Sequence, residues 1–361
     1  MGPPLRSTDR VLVRMPSWLG DCVAAEPALR RLVQATDDGE RLSVAMPRAL
    51  AAPFRDAFPR ARFVLHEKPG DEHHEDWRGH DAAVLLTGSF RSAWTALRAG
   101  IPRRIGWSRD GRGWLLTDRA RPMLERGRTA LGTQVRGGGR RFLPRPFVTS
   151  CLELLGFSGL LVEDPRPCLT PDPQVRDGVR ARLERMGLAP GEPYLLANVG
   201  GRSGSSKSYP TDSWARALDL IAAWTTLPVV LVYGPGEEDG AEAVRERAES
   251  LPRLFGPPAA DLRELVALAA GSSLVLTADG GPRHIAAATG RPIVCVFGPT
   301  DPRHTAAGLE RTKSVSAPTD CAPCHLERCP LHGEDHKRCM LEVRPEELAQ
   351  ATEELLRAQG A

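Results

Sequence analysis

The sequence has no apolar run that approaches the roughly 20 residues needed to cross a bilayer. Its first residues, MGPPLRSTDRVLVRMPSW, also lack the apolar core of a secretion signal. Hydrophobic residues make up 41% of the chain and charged residues 26%, which is typical of a soluble globular protein. These features predict a cytoplasmic protein, and 361 residues are enough for two domains of ordinary size.

Lysine is scarce, with only four lysines among 48 basic residues, and the net charge is only +3. The positive charge is concentrated between Ser89 and Val148, where fourteen arginines and three acidic residues give a local net charge of +11. This basic segment would attract an anionic partner. A solvated arginine-rich surface is the alternative, because arginine dominates the whole chain. No nucleic acid partner is predicted, since neither an aromatic-rich nor a helix-turn-helix pattern accompanies the charge.

Two common nucleotide-binding signatures are missing as well. The loop after the first predicted strand is not G-x-G-x-x-G, which disfavours an NAD-dependent oxidoreductase. The glycine-rich loop after Val199 is not a Walker loop. No acidic cluster with metal-ligand spacing is apparent, so the sequence predicts catalysis without a metal cofactor.

The sequence does contain a regular alternation of strands and helices, which is typical of parallel α/β folds. A proline cluster between 165 and 173 interrupts the alternation and indicates an inter-domain linker. We therefore predict domains at 1–170 and 171–340 and a C-terminal helix within 341–361. Two Rossmann-like domains facing across a cleft would form the GT-B architecture. The predicted strands lie at 10–15, 42–46, 62–65, 81–86, 194–199, 229–233, 253–255, just before Asp279 and at 292–297, and the predicted helices at 22–35, 49–58, 213–224, 238–250, 261–270, near Pro282 and at 345–357.

The most informative segment runs from Leu274 to Pro302, and its pattern is strand, tight loop, helix, strand and loop. In open α/β sheets, ligands bind where a strand ends and a helix begins. Backbone N–H groups and the helix dipole at that place suit a phosphate. The segment therefore predicts a nucleotide or sugar-phosphate site. For His284, the alternative is a purely structural role, in which its side chain is hydrogen-bonded to the backbone. The residues of this loop are Asp279, Gly280, Gly281 and His284.

The loop PSWLGD after the first strand places Gly20 and Asp21 at the start of a helix. Gly20 is a candidate donor-binding residue. A carboxylate at this position could deprotonate an attacking hydroxyl as a general base. The alternative is that Asp21 caps its own helix.

A second loop of interest, called the lysine loop, is GGRSGSSKSYPTDSW at residues 200–214. Its glycines allow close approach of the backbone to a phosphate, and Lys207 could neutralise the phosphate as a point charge. A flexible surface loop with a solvated lysine is the alternative. The candidate ligand-binding residues are Gly200, Gly201, Ser205, Ser206 and Lys207.

Five blocks of the chain, in order, resemble the bacterial ADP-heptose:lipopolysaccharide heptosyltransferases of glycosyltransferase family 9, and most closely the heptosyltransferase II branch. The blocks are VRMPSWLGDCVAAEPALRRL, LLTGSFRSAWTALRAGIPRRIGW, KSYPTDSWARAL, TADGGPRHIAAATGRPIVCVFGPTDP and CAPCHLERCPLHGEDHKRCM. The resemblance covers nearly the whole chain. It implies an N-terminal acceptor-binding domain and a C-terminal domain that binds the nucleotide sugar.

The same resemblance implies an inverting transfer of heptose from ADP-heptose to a hydroxyl of the lipopolysaccharide inner core. Asp21 then corresponds to the catalytic base and Lys207 to the lysine that steadies the diphosphate. The loop at 279–284 corresponds to the donor loop, usually D-[ST]-G-x-x-H, although this chain has Gly280 where a hydroxyl residue is usual. A missing hydrogen bond at that position would cost about 1 kcal/mol.

The loop TGSFRS matches a family loop that contacts the acceptor or the sugar, which implies that role for Ser89 and Arg91. The basic segment would suit a phosphorylated, anionic lipid A–core acceptor on the inner face of the inner membrane, with the enzyme peripherally bound there. Two alternatives remain at this stage. One is a family 9 transferase that uses another nucleotide sugar, which the change at Gly280 permits. The other is a non-catalytic nucleotide- or glycan-binding paralogue, against which Asp21 and Lys207 argue.

Four late cysteines follow the pattern C-x2-C-x4-C-x9-C, and the first pair has the spacing of a zinc site. We interpret them as a candidate structural zinc site, with reduced thiols or a bridge formed on oxidation as alternatives. A similar cluster in the resembled branch implies an architectural role. The other cysteines, Cys22, Cys151, Cys168 and Cys295, are predicted to be packing residues. The candidate ligands are Cys321, Cys324, Cys329 and Cys339.

Overall fold

The structure is a computed structural model that describes residues 4–68, 70–126, 140–142, 145–201, 204–305 and 311–359. The described residues form two compact units. The first is built mainly from residues up to Glu125 and from Phe142–Leu169. The second is built mainly from Thr170–Arg303 and from residues after 310. Residues 127–139 and 143–144 of the basic segment, and residues 202–203 of the lysine loop, lie outside the described part.

The first unit contains a six-stranded parallel sheet. Its strands are β1 (Val11–Arg14), β2 (Leu42–Pro47), β3 (Arg62–His66), β4 (Ala82–Leu85), β5 (Arg103–Trp107) and β6 (Asp118–Ala120). Their order is β3-β2-β1-β4-β5-β6, the doubly wound order with a topological switch point between β1 and β4. All residues of β1 and β4 are buried, as expected for central strands covered on both faces.

The predicted helix at 22–35 is wrong as a single helix, because the structure breaks it at Ala25. Pro27 lies in the first turn of the second helix, and its ring would clash with a carbonyl of the preceding turn if the helix were continuous. The predicted helix at 49–58 is shorter than expected and follows a single 3-10 turn. The helices described in this unit are α1 (Leu19–Ala24), α2 (Glu26–Ala35), α3 (Ala52–Ala57), α4 (Phe90–Arg98) and α5 (Phe147–Gly156).

Two short strands, β7 (Leu124–Arg126) and β8 (Arg140–Phe142), form a separate two-stranded sheet. The second unit repeats the topology of the first, with the order β11-β10-β9-β12-β13-β14 and the switch point between β9 and β12. Its strands are β9 (Leu195–Asn198), β10 (Val229–Val232), β11 (Arg253–Leu254), β12 (Leu274–Ala278), β13 (Ile293–Val296) and β14 (Thr312–Val315).

Side-chain caps fix the start of two helices in the second unit. Asp172 accepts hydrogen bonds from the first-turn N–H groups of one helix, and Asp261 forms a capping box with Glu264 at another. The last helix packs against the helix that carries the buried Trp214. The helices described here are α6 (Pro173–Arg185), α7 (Thr211–Ala222), α8 (Glu238–Arg247), α9 (Leu262–Gly271), α10 (Gly281–Ala288), α11 (Arg338–Leu341) and α12 (Pro345–Arg357).

The predicted α/β class with two Rossmann-like units is confirmed. Five of the described strands were not predicted, namely β5, β6, β7, β8 and β14. The strand β6 has only three residues, DRA, and β14 leaves two of its four side chains exposed. Both are edge strands, which lack the continuous apolar run that marks a central parallel strand. Among the described residues, no helix is long and apolar enough to cross a membrane.

Candidate functional site

The two ligand-binding loops predicted in the second unit leave neighbouring strands at its topological switch point. The lysine loop follows β9, and the loop that begins at Asp279 follows β12. Asn198 at the end of β9 lies opposite Thr277 near the end of β12. Because the strands are parallel, both loops leave the same edge of the sheet, where doubly wound folds bind their ligands.

Lys207 and Asp279 form an ion pair at this edge, with Nζ 3.0 Å from Oδ2. Thr300 donates its hydroxyl to the same carboxylate oxygen at 2.7 Å, and Arg283 donates from Nε to Oδ1 at 3.3 Å. Asp279 is 6% exposed. Burial alone would raise the pKa of Asp279, but Lys207 and Arg283 outweigh burial and lower the pKa to about 2. The carboxylate is therefore ionised at neutral pH.

Both carboxylate oxygens of Asp279 accept hydrogen bonds from protein side chains. Asp279 therefore serves to position Lys207. The Lys207 side chain is 40% exposed. An ammonium group has three N–H donors. Lys207 can therefore hold Asp279 and an anionic ligand at the same time. Direct contact between Asp279 and the donor stays a prediction.

The helix α10 begins beside this ion pair, with Gly280 at its N-cap position and no side-chain cap. Gly280 has an extended backbone, which any residue can adopt. A Cβ atom at Gly280 would come no closer than 3.7 Å to its nearest neighbour, Pro282. Neither the backbone nor the packing therefore requires glycine here, and the first-turn N–H groups of α10 suit an anion.

His284 lies in the first turns of α10. Its hydrogen bond is to a side chain, whereas the alternative considered from the sequence was a bond to the backbone. Its Nε2 lies 3.1 Å from Nη2 of Arg283. Burial and the Arg283 charge lower the pKa of His284 to about 3, so the imidazole is neutral at physiological pH. Because a guanidinium only donates, Nε2 must accept, and the ring proton resides on Nδ1.

The remaining residues of the lysine loop have structural contacts of their own. A Cβ at Gly200 would collide with the Glu237 carboxylate, and one at Gly201 would lie 2.8 Å from the Ser208 hydroxyl. Ser206 is buried, and its hydroxyl donates to the carbonyl of Leu326. The Ser205 hydroxyl accepts from the N–H of Lys207 at 3.2 Å. These contacts within the protein account for the glycines and serines at these positions. A role of these residues in donor binding stays a prediction.

In the first unit, Asp21 lies in the first turn of α1, directly after β1. Trp18 occupies the N-cap position of α1 and makes no side-chain cap. Asp21 is therefore not the N-cap residue, which was the alternative considered from the sequence. Asp21 is partly exposed at the carboxyl edge of the sheet. An acid in the first turn of a helix is favoured by the helix dipole.

A buried ion pair anchors the loop that leads into α1, the helix that carries Asp21, and sequence reasoning missed it. Arg14, at the end of β1, lies 2.7 Å from Oε1 of Glu72, and both side chains are buried. Arg14 also donates to the Met15 carbonyl and, at 3.2 Å, to the Ser17 hydroxyl. The available signal was an arginine within the otherwise apolar strand VLVRM. Arg283 gave a similar signal, because it lies four residues after Asp279 in an alanine-rich helix.

Ser89 and Arg91 also lie at the switch point of the first unit, with Ser89 at the end of the loop after β4 and Arg91 in the first turn of α4. The Ser89 hydroxyl caps α4 by accepting from the N–H of Ser92 at 3.1 Å. Arg91 is exposed and donates to the Gly70 carbonyl at 2.8 Å. Their position at this edge fits the predicted contact with acceptor or sugar, which stays a prediction.

The four late cysteines approach one another in the second unit. Cys339 is buried. Burial and the neighbouring thiols of Cys321, Cys324 and Cys329 raise its pKa to about 11. The N–H of Lys337 donates to Sγ of Cys329 at 3.4 Å. Among the described residues, the ligand atoms that lie within 4.8 Å of one another are those of Asp301, His304 and His325 rather than these sulfur atoms. Zinc at the four cysteines stays a prediction, which rests on the residue type and spacing.

The remaining cysteines follow the packing prediction with one exception. Cys22, Cys151 and Cys295 are buried thiols. Cys168, in the proline-rich segment, is exposed, so the prediction that it is a packing residue is wrong. The backbone N–H of Cys168 donates to the buried carboxylate of Glu26 at 2.8 Å, so this position anchors the chain through its backbone.

Comparison with known proteins gives a consistent result. Residues 165–334 match the model of glycosyltransferase family 9 (heptosyltransferase). Lipopolysaccharide heptosyltransferase 2 of Escherichia coli K12 is 24% identical over 366 residues, which cover 96% of this chain and 98% of the relative.

Two solved structures share the fold. The E. coli ADP-heptose lps heptosyltransferase II superposes with a TM-score of 0.69 at 22% identity, covering 98% of this chain and 100% of that one. A family 9 glycosyl transferase from Veillonella parvula DSM 2008 superposes with a TM-score of 0.75 at 18% identity, covering 97% and 98%. The predicted resemblance and the GT-B fold class are confirmed, and the matches support a glycosyltransferase.

Proposed function

We propose that this chain, a glycosyltransferase related to the heptosyltransferases of family 9, transfers heptose from ADP-heptose to a hydroxyl of the lipopolysaccharide inner core with inversion at the anomeric carbon. The observation that carries the proposal is the ion pair between Lys207 and Asp279 at the switch point of the second unit. It fixes an exposed ammonium group beside the amino end of α10, which is the arrangement a diphosphate needs. The E. coli relative described above is a lipopolysaccharide heptosyltransferase, which supports the same reaction.

The donor half of the reaction depends on charge. Lys207 and the first N–H groups of α10 hold the diphosphate of the nucleotide sugar. As the bond to the anomeric carbon breaks, negative charge grows on the leaving ADP. Groups fixed in advance around that charge stabilise the transition state more than water does. The neutral His284 offers its Nδ1–H as a donor to the sugar or phosphate.

The acceptor half depends on Asp21. Its carboxylate takes the proton of the acceptor hydroxyl while the hydroxyl oxygen attacks the anomeric carbon. Attack opposite the leaving ADP in one displacement inverts that carbon. Arg14 acts as a positioning residue, because its bonds to Met15 and Ser17 hold the loop that leads into the helix of Asp21. On this mechanism, no metal takes part in catalysis.

The acceptor is an anionic lipid A–core molecule at the inner face of the inner membrane. Ser89 and Arg91 contact its sugars or phosphates from the edge of the first unit. Residues 89–126 are the described part of the basic segment near Ser89 and Arg91. The sequence there contains nine arginines and three acids, and this excess of positive charge favours an acceptor that carries phosphates.

The test is a donor screen with purified protein and a heptose-deficient core acceptor. We expect ADP release with ADP-heptose, and a loss of about 10²-fold or more in Asp21→Asn, since general base catalysis contributes on that order. Asp239→Asn is the matched control, because Asp239 also lies in the first turn of a helix, α8, and should leave turnover unchanged.

Three results would change the proposal. Turnover that survives in Asp21→Asn would remove Asp21 as the base. Turnover with a different nucleotide sugar alone would identify a family 9 transferase of another specificity, which the missing hydroxyl at Gly280 favours. Binding of nucleotide sugars without turnover of any would indicate a non-catalytic paralogue.

A further inference from the structure

The first unit exposes large apolar side chains along one edge of its sheet. Trp18 follows β1, Phe90 and Trp94 lie in the helix after β4, and Trp114 follows β5. Their exposed fractions are 65%, 44%, 41% and 61%. Because the strands are parallel and adjacent, these loops leave the same carboxyl edge. Clustered exposure of large apolar side chains often marks an interaction surface.

Three of these rings form one patch, which we call the aromatic patch (Phe90, Trp94 and Trp114). The ring of Trp114 lies 6.2 Å from that of Phe90 and 6.4 Å from that of Trp94, between centroids. Phe90 and Trp94 are four residues apart on α4, so they project from the same helix face. The three rings therefore present a single projecting surface.

A buried arginine holds this surface in shape. Arg112 is fully buried and lies two residues before Trp114. It donates from Nη1 to the Ser89 carbonyl at 2.9 Å and from Nε to the Trp107 carbonyl at 2.9 Å. It thus ties the turn that carries Trp114 to the start of the helix that carries Phe90 and Trp94. A preorganised surface loses less conformational entropy when it binds.

Positive charge lies on the helix that carries Phe90 and Trp94 and on the neighbouring strand. Arg91 and Arg98 are exposed on α4, and Arg98 lies one helical turn beyond Trp94 on the same face. Arg119 and Arg121 are exposed at the end of the neighbouring strand β6. Indole and phenyl rings favour the headgroup region of a bilayer, and arginines beside them are attracted to anionic lipids.

We infer that the aromatic patch, with Arg98 and the other exposed arginines named above, docks the first unit on an anionic phospholipid surface. The rings enter the headgroup region and the arginines pair with lipid phosphates. This surface shares its sheet edge with Trp18, three residues before Asp21, so docking brings a membrane-borne acceptor to the loop that precedes the proposed base. The last point rests on the function proposed above, whereas the docking itself does not.

The test measures binding to vesicles of phosphatidylethanolamine and phosphatidylglycerol by flotation, with phosphatidylcholine vesicles for comparison. We expect binding to the anionic vesicles that weakens in high salt. The double variant Trp94→Ser/Trp114→Ser should bind at least about tenfold more weakly, and Arg98→Gln about fivefold. The control Trp224→Ser/Leu251→Ser removes exposed apolar side chains from the second unit and should bind like the wild type. Circular dichroism checks that each variant is folded.

Equal vesicle binding by the double variant and the control would overturn the inference, as would equal binding to anionic and neutral vesicles. Turnover with a deacylated, water-soluble acceptor separates lipid from sugar contact. We expect the double variant to keep that turnover and to lose turnover on acceptor embedded in vesicles. Equal losses on both acceptors would show that the rings contact core sugars, which also overturns docking. Vesicle binding without turnover in the wild type would refute the proposed function and leave docking intact.

Discussion

Lys207 donates from Nζ to Oδ2 of Asp279 across 3.0 Å, although 72 residues separate the two along the chain. The carboxylate is nearly fully buried and its pKa is lowered to about 2, whereas the lysine remains partly exposed. The pair therefore consists of a fixed buried anion and a cation held toward the edge of the sheet. This asymmetry is what makes the ammonium group available to a second anion.

Replacing Lys207 should impair donor use more than folding. We expect Lys207→Met to lower kcat/KM for ADP-heptose by about 10²-fold or more, because a charge that stabilises the leaving diphosphate is lost. Steady-state kinetics with varied donor measure the effect. Lys313→Met is the matched control, since Lys313 is also partly exposed and ion-paired, with Glu354, away from the loop. An equal loss in both variants would contradict a specific role for Lys207.

Introducing a hydroxyl at position 280 should be tolerated. Gly280→Ser places its Cβ in ordinary van der Waals contact, and a serine at a helix N-cap can accept a first-turn N–H. We expect the free energy of unfolding to stay within about 0.5 kcal/mol of wild type or to rise slightly, and the KM for ADP-heptose to fall.

Gly200→Ser is the contrasting variant for this prediction. Its Cβ would collide with the Glu237 carboxylate, which accepts from the Gly234 N–H at 2.9 Å, so making room breaks that hydrogen bond and we expect destabilisation of about 1 kcal/mol. Urea unfolding measures both variants. If Gly280→Ser were as unstable as Gly200→Ser, the proposed room for a hydroxyl at position 280 would be wrong.

Glu26 should make stability depend on pH. It is buried, and burial raises its pKa to about 7, although the Cys168 N–H and Arg30 oppose the shift. A raised folded-state pKa means that stability is fully present below the unfolded value of about 4.5 and is lost as pH rises through about 7. The loss would amount to no more than about 3 kcal/mol.

Glu26→Gln keeps an oxygen that can accept from the Cys168 N–H but cannot ionise. We therefore expect its free energy of unfolding to change less than that of wild type between pH 5 and pH 8, as measured by urea unfolding at several pH values. The exposed variant Glu40→Gln serves as the control and should keep the wild-type slope. A wild-type profile that rises with pH over this range would refute the assignment to Glu26.

The late cysteine cluster should hold a metal ion that stabilises the second unit. We expect elemental analysis of protein purified without chelator to find about one zinc or iron per chain, as four thiolates would bind. Cys324→Ser should lose the metal and lower Tm, because metal binding adds to folding free energy. Cys168→Ser, which removes an exposed thiol outside the cluster, should change neither. Metal-free protein with four titratable thiols in the cluster would show that the cysteines have another role.

Local sequence patterns determined much of this protein. The apolar strands, their alternation with helices and the helix from Pro345 to Arg357 follow from signals within a few residues of each other, and the structure agrees closely for these elements. The proline-rich linker stays a prediction. The polar edge strands β6 and β14 were missed because their residues carry no apolar run. The break at Ala25 was missed although Pro27 signals it.

Only the tertiary structure decided which charged side chains meet. The sequence identified Lys207 and Asp279 as candidates, but it could not show that one holds the other, because their contact depends on β9 and β12 being neighbours in the sheet. The same holds for Arg14 and Glu72, and for the rings of Trp94 and Trp114. Helix and strand signals arise from interactions between residues close in sequence, whereas ion pairs and surface patches depend on strand order, which brings distant residues to one edge.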